Sequence, residues 1–212
     1  MKKNLFPAAA VLVALSACTA QTEFSPSSPG MSREPISQPA TVHVVITGSQ
    51  EADPSSKTVL AGNLKTVLWK PEDAIKVFCE GWTAPGRFIS TNEADSVKVT
   101  FEGDVTLDPE AAGTEDYWAI YPYSETATFE SGVIYSTLPD VQEAVGNTFA
   151  DDLFVSAAHC SVVDDMHFYS VCSGFKFSLD REDITSVTFT ARGGEPVAGD
   201  FTVVFDEEGL PI

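Results

Sequence analysis

The sequence predicts an all-β chain built of antiparallel strands in a two-sheet sandwich, and three observations carry that prediction. Short runs rich in β-branched and aromatic residues recur from Thr41 onward, separated by clusters of Gly, Pro, Asn and Asp. Several runs alternate apolar and polar residues with the two-residue period of a strand that has one buried and one wet face. No stretch of useful length carries the apolar period of an amphipathic helix, and only residues 140–149 have room for a short helical turn.

At the N-terminus, Lys2 and Lys3 precede an apolar run, residues 5–15, that ends in Leu15-Ser16-Ala17-Cys18. A basic start, a short apolar stretch and small residues before a cysteine make a signal peptide with a lipobox. The run falls short of the roughly 20 residues that a helix needs to span a bilayer, so it reads as an export address. Residues 1–17 are expected to be removed and Cys18 to carry lipid. Acyl chains contribute on the order of 0.8 kcal/mol per buried methylene, and several on one cysteine hold a protein at a membrane. Residues 18–40, with Pro26, Pro29, Pro35 and Pro39 among Ser, Thr and Gln, read as a tether.

A folded domain is expected over residues 41–205. Its strands are read at 41–47, 66–69, 75–79, 96–101, 117–121, 133–138, 154–160, 168–179, 184–191 and 201–205. In 96–101, Val97, Val99 and Phe101 share one face while Ser96, Lys98 and Thr100 share the other. Phe175, Phe177 and Leu179 alternate in the same way, as do Val187 and Phe189 with Thr188 and Thr190. Residues 206–209 read as a turn, and Leu210-Pro211-Ile212 as the start of a second domain, 206–212 being its truncated beginning.

Composition narrows the function. The net charge is −19, and losing Lys2 and Lys3 takes it to −21. Nucleic acid binds through clustered lysine and arginine, which so acidic a chain cannot assemble, so no nucleic-acid partner is expected. With 43% hydrophobic and 10% aromatic residues the chain can bury a sizeable core. Besides Cys18 it has Cys79, Cys160 and Cys172, an odd number that allows at most one internal disulfide in an oxidising compartment. Cys160 and Cys172 are the candidate pair if 154–160 and 168–179 form a hairpin turning near 164–166. Two buried thiols are the alternative, because a bridge needs closely matched partners.

Several segments in order resemble the fimbrillin-like surface lipoproteins of Bacteroidales-type gut and oral bacteria. They are Lys57-Thr58 through Trp69, Glu72-Asp73 and Ile75 to Phe78; Val99-Thr100-Phe101-Glu102-Gly103; and Tyr117-Trp118-Ala119-Ile120-Tyr121-Pro122. The series continues with Leu138-Pro139, Gln142, Phe154, Phe175 to Leu179, Ile184 to Val187, and Ala198-Gly199-Asp200-Phe201 through Gly209-Leu210-Pro211. The resemblance implies a transthyretin-like, Greek-key β-sandwich, and the residues from 206 onward would then open a second such domain. It also implies lipidation, an outer-membrane or cell-surface location, surface proteolysis and assembly with other fimbrial subunits by β-strand donation. A proteolytic cut follows an arginine or lysine near the N-terminus in such subunits; Arg33 in the tether and Lys57 after the first strand are the candidates here. A host or bacterial surface ligand would be the partner of an adhesive subunit.

No enzyme, cofactor or metal is expected. Ala157-Ala158-His159-Cys160 resembles the histidine motif of trypsin-like proteases, but no Gly-Asp-Ser-Gly-Gly follows to supply the nucleophile. In a strand, His159 and Cys160 point to opposite faces and cannot form a dyad. The acidic group Asp104, Asp108, Glu110, Glu115 and Asp116 lacks the alternation and turn glycine of a calcium loop. The cysteines and His159 and His167 fit no zinc spacing, and Gly193-Gly194 leads to a proline and strand, not to a phosphate-binding helix. The other functional reading is a lipid-anchored glycan- or ligand-binding module using Trp69, Trp82, Trp118 and Tyr123 as a stacking platform. Trp82, in the loop Gly81-Trp82-Thr83-Ala84-Pro85-Gly86, is the aromatic expected nearest water.

Overall fold

Two hydrophobic cores organise the chain, and the strands that separate them are apolar on both faces. The computed structural model describes residues 38–50, 68–111, 116–143, 145, 153–161, 165–174 and 177–212. All fall within the compact unit Pro35–Ile212. Its strands are β1 (Ala40–Gln50), β2 (Ala74–Phe78), β3 (Gly86–Ser90), β4 (Lys98–Leu107), β5 (Tyr117–Tyr121), β6 (Thr128–Glu130), β7 (Val133–Leu138), β8 (Ser156–Cys160), β9 (Met166–Ser170) and β10 (Gly199–Val203).

Seven strands close into a barrel in the order β1-β4-β3-β2-β5-β8-β9, and β10-β7-β6 form a separate three-stranded sheet. The all-β class is as expected, but the arrangement is a barrel with a flanking sheet. Two of the barrel's ladders meet on β1. It pairs antiparallel with β4 along ten residues and parallel with β9 through Gly48, Ser49 and Gln50. That parallel seam is the departure from an antiparallel sandwich.

Inside the barrel lie Ile46, Ile75, Val77, Phe88, Val99, Phe101, Met166 and Phe168 around Trp69. The Trp69 ring meets Phe101, Tyr121 and Phe168 edge-on with centroids 5.0, 5.0 and 5.1 Å away, the geometry aromatic quadrupoles prefer. Outward residues of β2, β5 and β8 build the second core: Phe78, Ile120 and Ala157 pack with Ile134 of β7 and Val203 of β10. Because side chains alternate across a strand, β2, β5 and β8 have no wet face in this region.

Lys76 is the exception in that layer. It is buried on the Phe78 side of β2, and its ammonium donates to the carbonyls of Ser124, Glu125 and Ala127 at 3.0, 2.9 and 2.7 Å. Three donors meet three acceptors, which is what a buried ammonium requires. Burial pushes Lys76 below the ordinary lysine value, opposed by the Glu125 carboxylate.

The β6–β7 connection is Ser131-Gly132, both with positive φ, as a two-residue hairpin loop demands. Residues 204–212 fold back on themselves: Asp206 Oδ1 accepts from the Glu208 and Leu210 amides, and the Ile212 amide donates to Val204. The residues expected to begin a second domain therefore pair locally within this unit. Residues 177–179 and 184–191, read as strands, enter neither sheet.

Candidate functional site

The seam where β1 closes the barrel is where the sequence, packing and polar chemistry converge. Val42, Val44 and Ile46 point inward from β1 to the barrel core. Opposite faces alternate because Thr41, His43 and Val45 are exposed. At Gly48 a Cβ would lie 2.7 Å from Phe101 Cε2 and 3.5 Å from Phe168 Cε2, so the absence of a side chain is what lets the strand cross those rings closely. Gln50 is buried at the end of the seam, where its Nε2 donates to Ser156 Oγ at 3.3 Å and its amide donates to Val97 O at 3.2 Å.

Exposed polar groups pin β1 on the outer face. His43 Nδ1 lies 2.9 Å from Asp104 Oδ1 across β4, and its Nε2 lies 3.8 Å from Glu102. Across the parallel seam, Ser49 Oγ lies 3.0 Å from His167 Nδ1, while His167 Nε2 lies 3.1 Å from Asp165 Oδ2. With the proton on Nε2, His167 donates to Asp165 and accepts from Ser49. The hydrogen bond from His167, then the charge that ring carries when both nitrogens are protonated, hold the Asp165 carboxyl below its ordinary value, with Lys98 adding from 3.5 Å.

Ser49–His167–Asp165 has the connectivity of a nucleophilic triad. Its setting does not match one. The groups lie on the outer face of β1 and at the start of β9, and they line neither the groove beside Val171 and Phe201 nor the recess beside Thr128 and Tyr135. A hydrolytic site needs a cleft and converging donors for an oxyanion. The chain of hydrogen bonds instead stitches the short, three-residue parallel ladder.

Of the residues singled out by sequence, Cys18, Arg33 and Lys57 lie outside the described residues. No disulfide joins Cys160 and Cys172, both of which are thiols. The hairpin expected between them forms, but its register pairs Ser156 with Ser170 and Ala157 with Tyr169. Continued along the strands, that register puts Cys160 level with Met166 and Cys172 level with Phe154, about 20 Å apart, far beyond bridging distance. Cys160 faces the barrel core, whereas Cys172 packs on the outer core and accepts the Val155 amide at 3.2 Å. Burial pushes the Cys172 thiol up, partly countered by that hydrogen bond.

His159 and Cys160 do face opposite ways. The His159 ring stacks on Trp118 with centroids 5.0 Å apart and touches Phe205, while Asp116 Oδ1 lies 3.7 Å from its Nε2. Neighbouring acids take separate partners: Asp104 meets His43, and Asp108 accepts the Glu110 amide. Among the described residues, no three His, Cys, Asp or Glu side chains are placed to share a metal ion.

The four aromatics considered for a platform turn inward or find cover. Trp69 fills the barrel, Trp118 packs in the outer core, and Arg87 lies 4.9 Å over the Tyr123 ring. Trp82, expected near water, bridges to Leu107 and packs on Phe88 and Tyr117 with centroids 5.8 Å from each. It covers one part of the barrel core as a half-buried side chain.

Sequence reasoning missed the closing role of β1, the polar pins beside it and the Lys76 clamp. Only Lys76 left a signal, being a charge inside the apolar run Ile75 to Phe78. No protein-family model, curated protein or solved structure matches this chain.

Proposed function

We propose that the chain is a non-enzymatic structural or adhesive subunit of a surface fimbria, exported and lipidated at Cys18, which assembles with other subunits by exchanging β1. The observation that carries this reading is the position of β1 between β4 and β9. Taking β1 out opens the barrel, bares Val99, Phe101 and Phe168, and frees the backbone edges of two strands. An extended segment from another subunit restores both the ladder and the core. Proteolysis after Lys57 would leave β1 held by noncovalent contacts alone, since Lys57 lies between β1 and the rest of the barrel in the chain. Cleavage after Arg33 would release the domain from its lipid with β1 still attached.

The transthyretin-like ancestry implied by the ordered motifs belongs to the same reading, with the β10-β7-β6 sheet serving as the second layer. The ligand-binding alternative has less support, because Trp69, Trp82, Trp118 and Tyr123 do not form an exposed row.

Mass spectrometry of the mature protein from the cell surface tests the proposal. Lipid-free chains that begin after Arg33 or Lys57 in high-mass polymers support it. An uncut monomer acylated at Cys18 overturns the polymerising role and leaves an anchored module.

A further inference from the structure

The place that β1 fills is shaped to a sequence pattern. Val42, Val44 and Ile46 enter the barrel core at alternate positions, and Gly48 and Gln50 continue the same face. β4 lies opposite with matching relief. Val44 pairs with Gly103, where a Cβ would strike Arg87 O at 2.4 Å, so no side chain of β4 competes with Val44. Two positions past Ile46 the relief reverses, and the Phe101 ring lies so close under Gly48 that a Cβ there would sit 2.7 Å from it. A strand slid by one residue would turn its apolar face to water, and one slid by two in either direction would put a side chain on that ring. Three alternate apolar residues followed by glycine therefore fix the register. Pairing antiparallel with β4 and parallel with β9 fixes the direction.

On its outer side the same place is acidic. Glu102 and Asp104 project from β4 with Val45 and His43 as their cross-strand partners. β1 carries no Asp, Glu, Lys or Arg, and it meets the two carboxylates with the His43 ring, 2.9 Å from Asp104 and 3.8 Å from Glu102. A lysine or arginine in that position would bring a fixed charge to both.

We infer that the strand taken up in exchange for β1 comes from a different, less acidic subunit and reads apolar-cation-apolar-x-apolar-x-Gly, with its lysine or arginine where His43 stands. The inference rests on the proposed exchange of β1 and names the partner. Alternate side-chain positions supply the specificity when a strand is added to a sheet, and here both faces of the strand are read. In this chain Ile75 to Gly81 and Val97 to Gly103 fit the pattern, but they include β2 and the wall strand β4, already laid in the barrel. Val187 to Gly193 share the apolar spacing and have Thr188 where the cation belongs. A net charge of −19 sets two copies against each other, whereas it draws in a basic segment. The uncharged β1 is thus the resident that a charged strand displaces.

A site-specific protease sequence inserted after Lys57 allows β1 to be cut from the full chain. Fluorescent peptides copying β1 are then added; anisotropy reads their uptake, and mass spectrometry reads the β1 fragment released. The unaltered copy is expected to enter. A His43→Lys peptide is expected to bind roughly two- to fivefold tighter at about 0.05 M salt, with the gain fading at about 0.5 M, and a His43→Glu peptide to bind more weakly than the copy. A Gly48→Leu peptide is expected to bind about tenfold or more weakly. In sedimentation the cut chain alone is expected to stay monomeric. Failure of the unaltered copy to enter overturns the exchange of β1 and this inference with it. Entry of the copy without a loss for Gly48→Leu, or without a salt-sensitive gain for His43→Lys, overturns the inference and leaves the exchange standing, as do polymers formed by the cut chain alone.

Discussion

Replacing Gly48 with alanine tests whether β1 is fitted to the barrel it closes. The new Cβ would sit 2.7 and 3.3 Å from Cε2 and Cδ2 of Phe101 and 3.5 Å from Phe168. Carbon atoms pack best at about 3.5–4.0 Å, so the Phe101 ring must retreat by about 0.8 Å. It has nowhere open to go: Phe101 is fully buried, edge-on to Trp69 at 5.0 Å and tilted against Phe168 at 6.5 Å. Forcing one extra methyl into such a core costs about 1–3 kcal/mol. Alanine recovers about 0.5–1 kcal/mol of that through the lower chain entropy of its unfolded state.

A net loss of about 1–2 kcal/mol is expected, or about 2–8 °C in Tm for a chain of this size. Urea unfolding followed by tryptophan fluorescence measures it, with Trp69 reporting on the Phe101 contact. Thr41→Ala on the exposed face of the same strand is the control, expected within about 0.5 kcal/mol of the parent. A Gly48→Ala chain as stable as the parent would show that β1 does not cross Phe101 closely, and the exchange seam would lose its physical basis.

Other perturbations separate the remaining contributions. Lys76→Met strands the carbonyls of Ser124, Glu125 and Ala127 and is expected to cost about 2–4 kcal/mol in thermal unfolding. Trp69 Nε1 is buried, with no hydrogen-bond partner among the described residues. Trp69→Phe is therefore expected to cost less than the roughly 3–5 kcal/mol of deleting a core aromatic, since an unmet donor leaves with the ring's lost volume; denaturation midpoints decide it. Cys172 is expected to resist iodoacetamide in the folded chain and to react on unfolding, as read by mass. Its folded pKa is raised, so its contribution to stability is present below pH 9.0 and lost as pH rises toward the folded value. Asp165 has the opposite sign: its folded pKa is depressed, so Asp165→Asn is expected to remove a contribution present near neutrality and lost as pH falls below about 4, seen by titrating the melting temperature.

Where a strand's own residues decide its state, the sequence was enough. Residues 117–121 and 133–138 are β5 and β7 to the residue, because both combine β-branched or aromatic composition with flanking turn residues. β3 and β6 escaped notice. Gly86-Arg87-Phe88-Ile89-Ser90 has one glycine and one charge in five residues, and β6 is three residues long; each becomes a strand because a neighbour pairs with it. The reverse error occurs at 177–179 and 184–191, where the alternation is good but no sheet accepts it.

Trp82 keeps part of its ring toward water as a half-buried side chain, but a Gly- and Pro-rich loop says nothing about which ring it lies over, and here that ring is Phe88. The parallel seam was equally illegible. Which strand meets β9 follows from closing the barrel, a property of the whole chain that no local pattern encodes. The disulfide question likewise turned on register, which spacing between cysteines does not fix.

The division into two cores bears on whether β1 can be exchanged at all. Removing a strand from a one-core protein exposes its whole interior, and the rest of the chain unfolds with it. Here the outer core draws on β2, β5, β7, β8 and β10, together with Ala127 and Val155, and includes no residue of β1. β2, β5 and β8 remain laddered to one another without β1, and Lys76 still ties β2 to the 124–127 loop. Loss of β1 therefore strips one wall from the barrel while the layer built on its far side keeps its packing. That asymmetry is what the proposed exchange of β1 requires: a groove that opens beside a layer that stays packed.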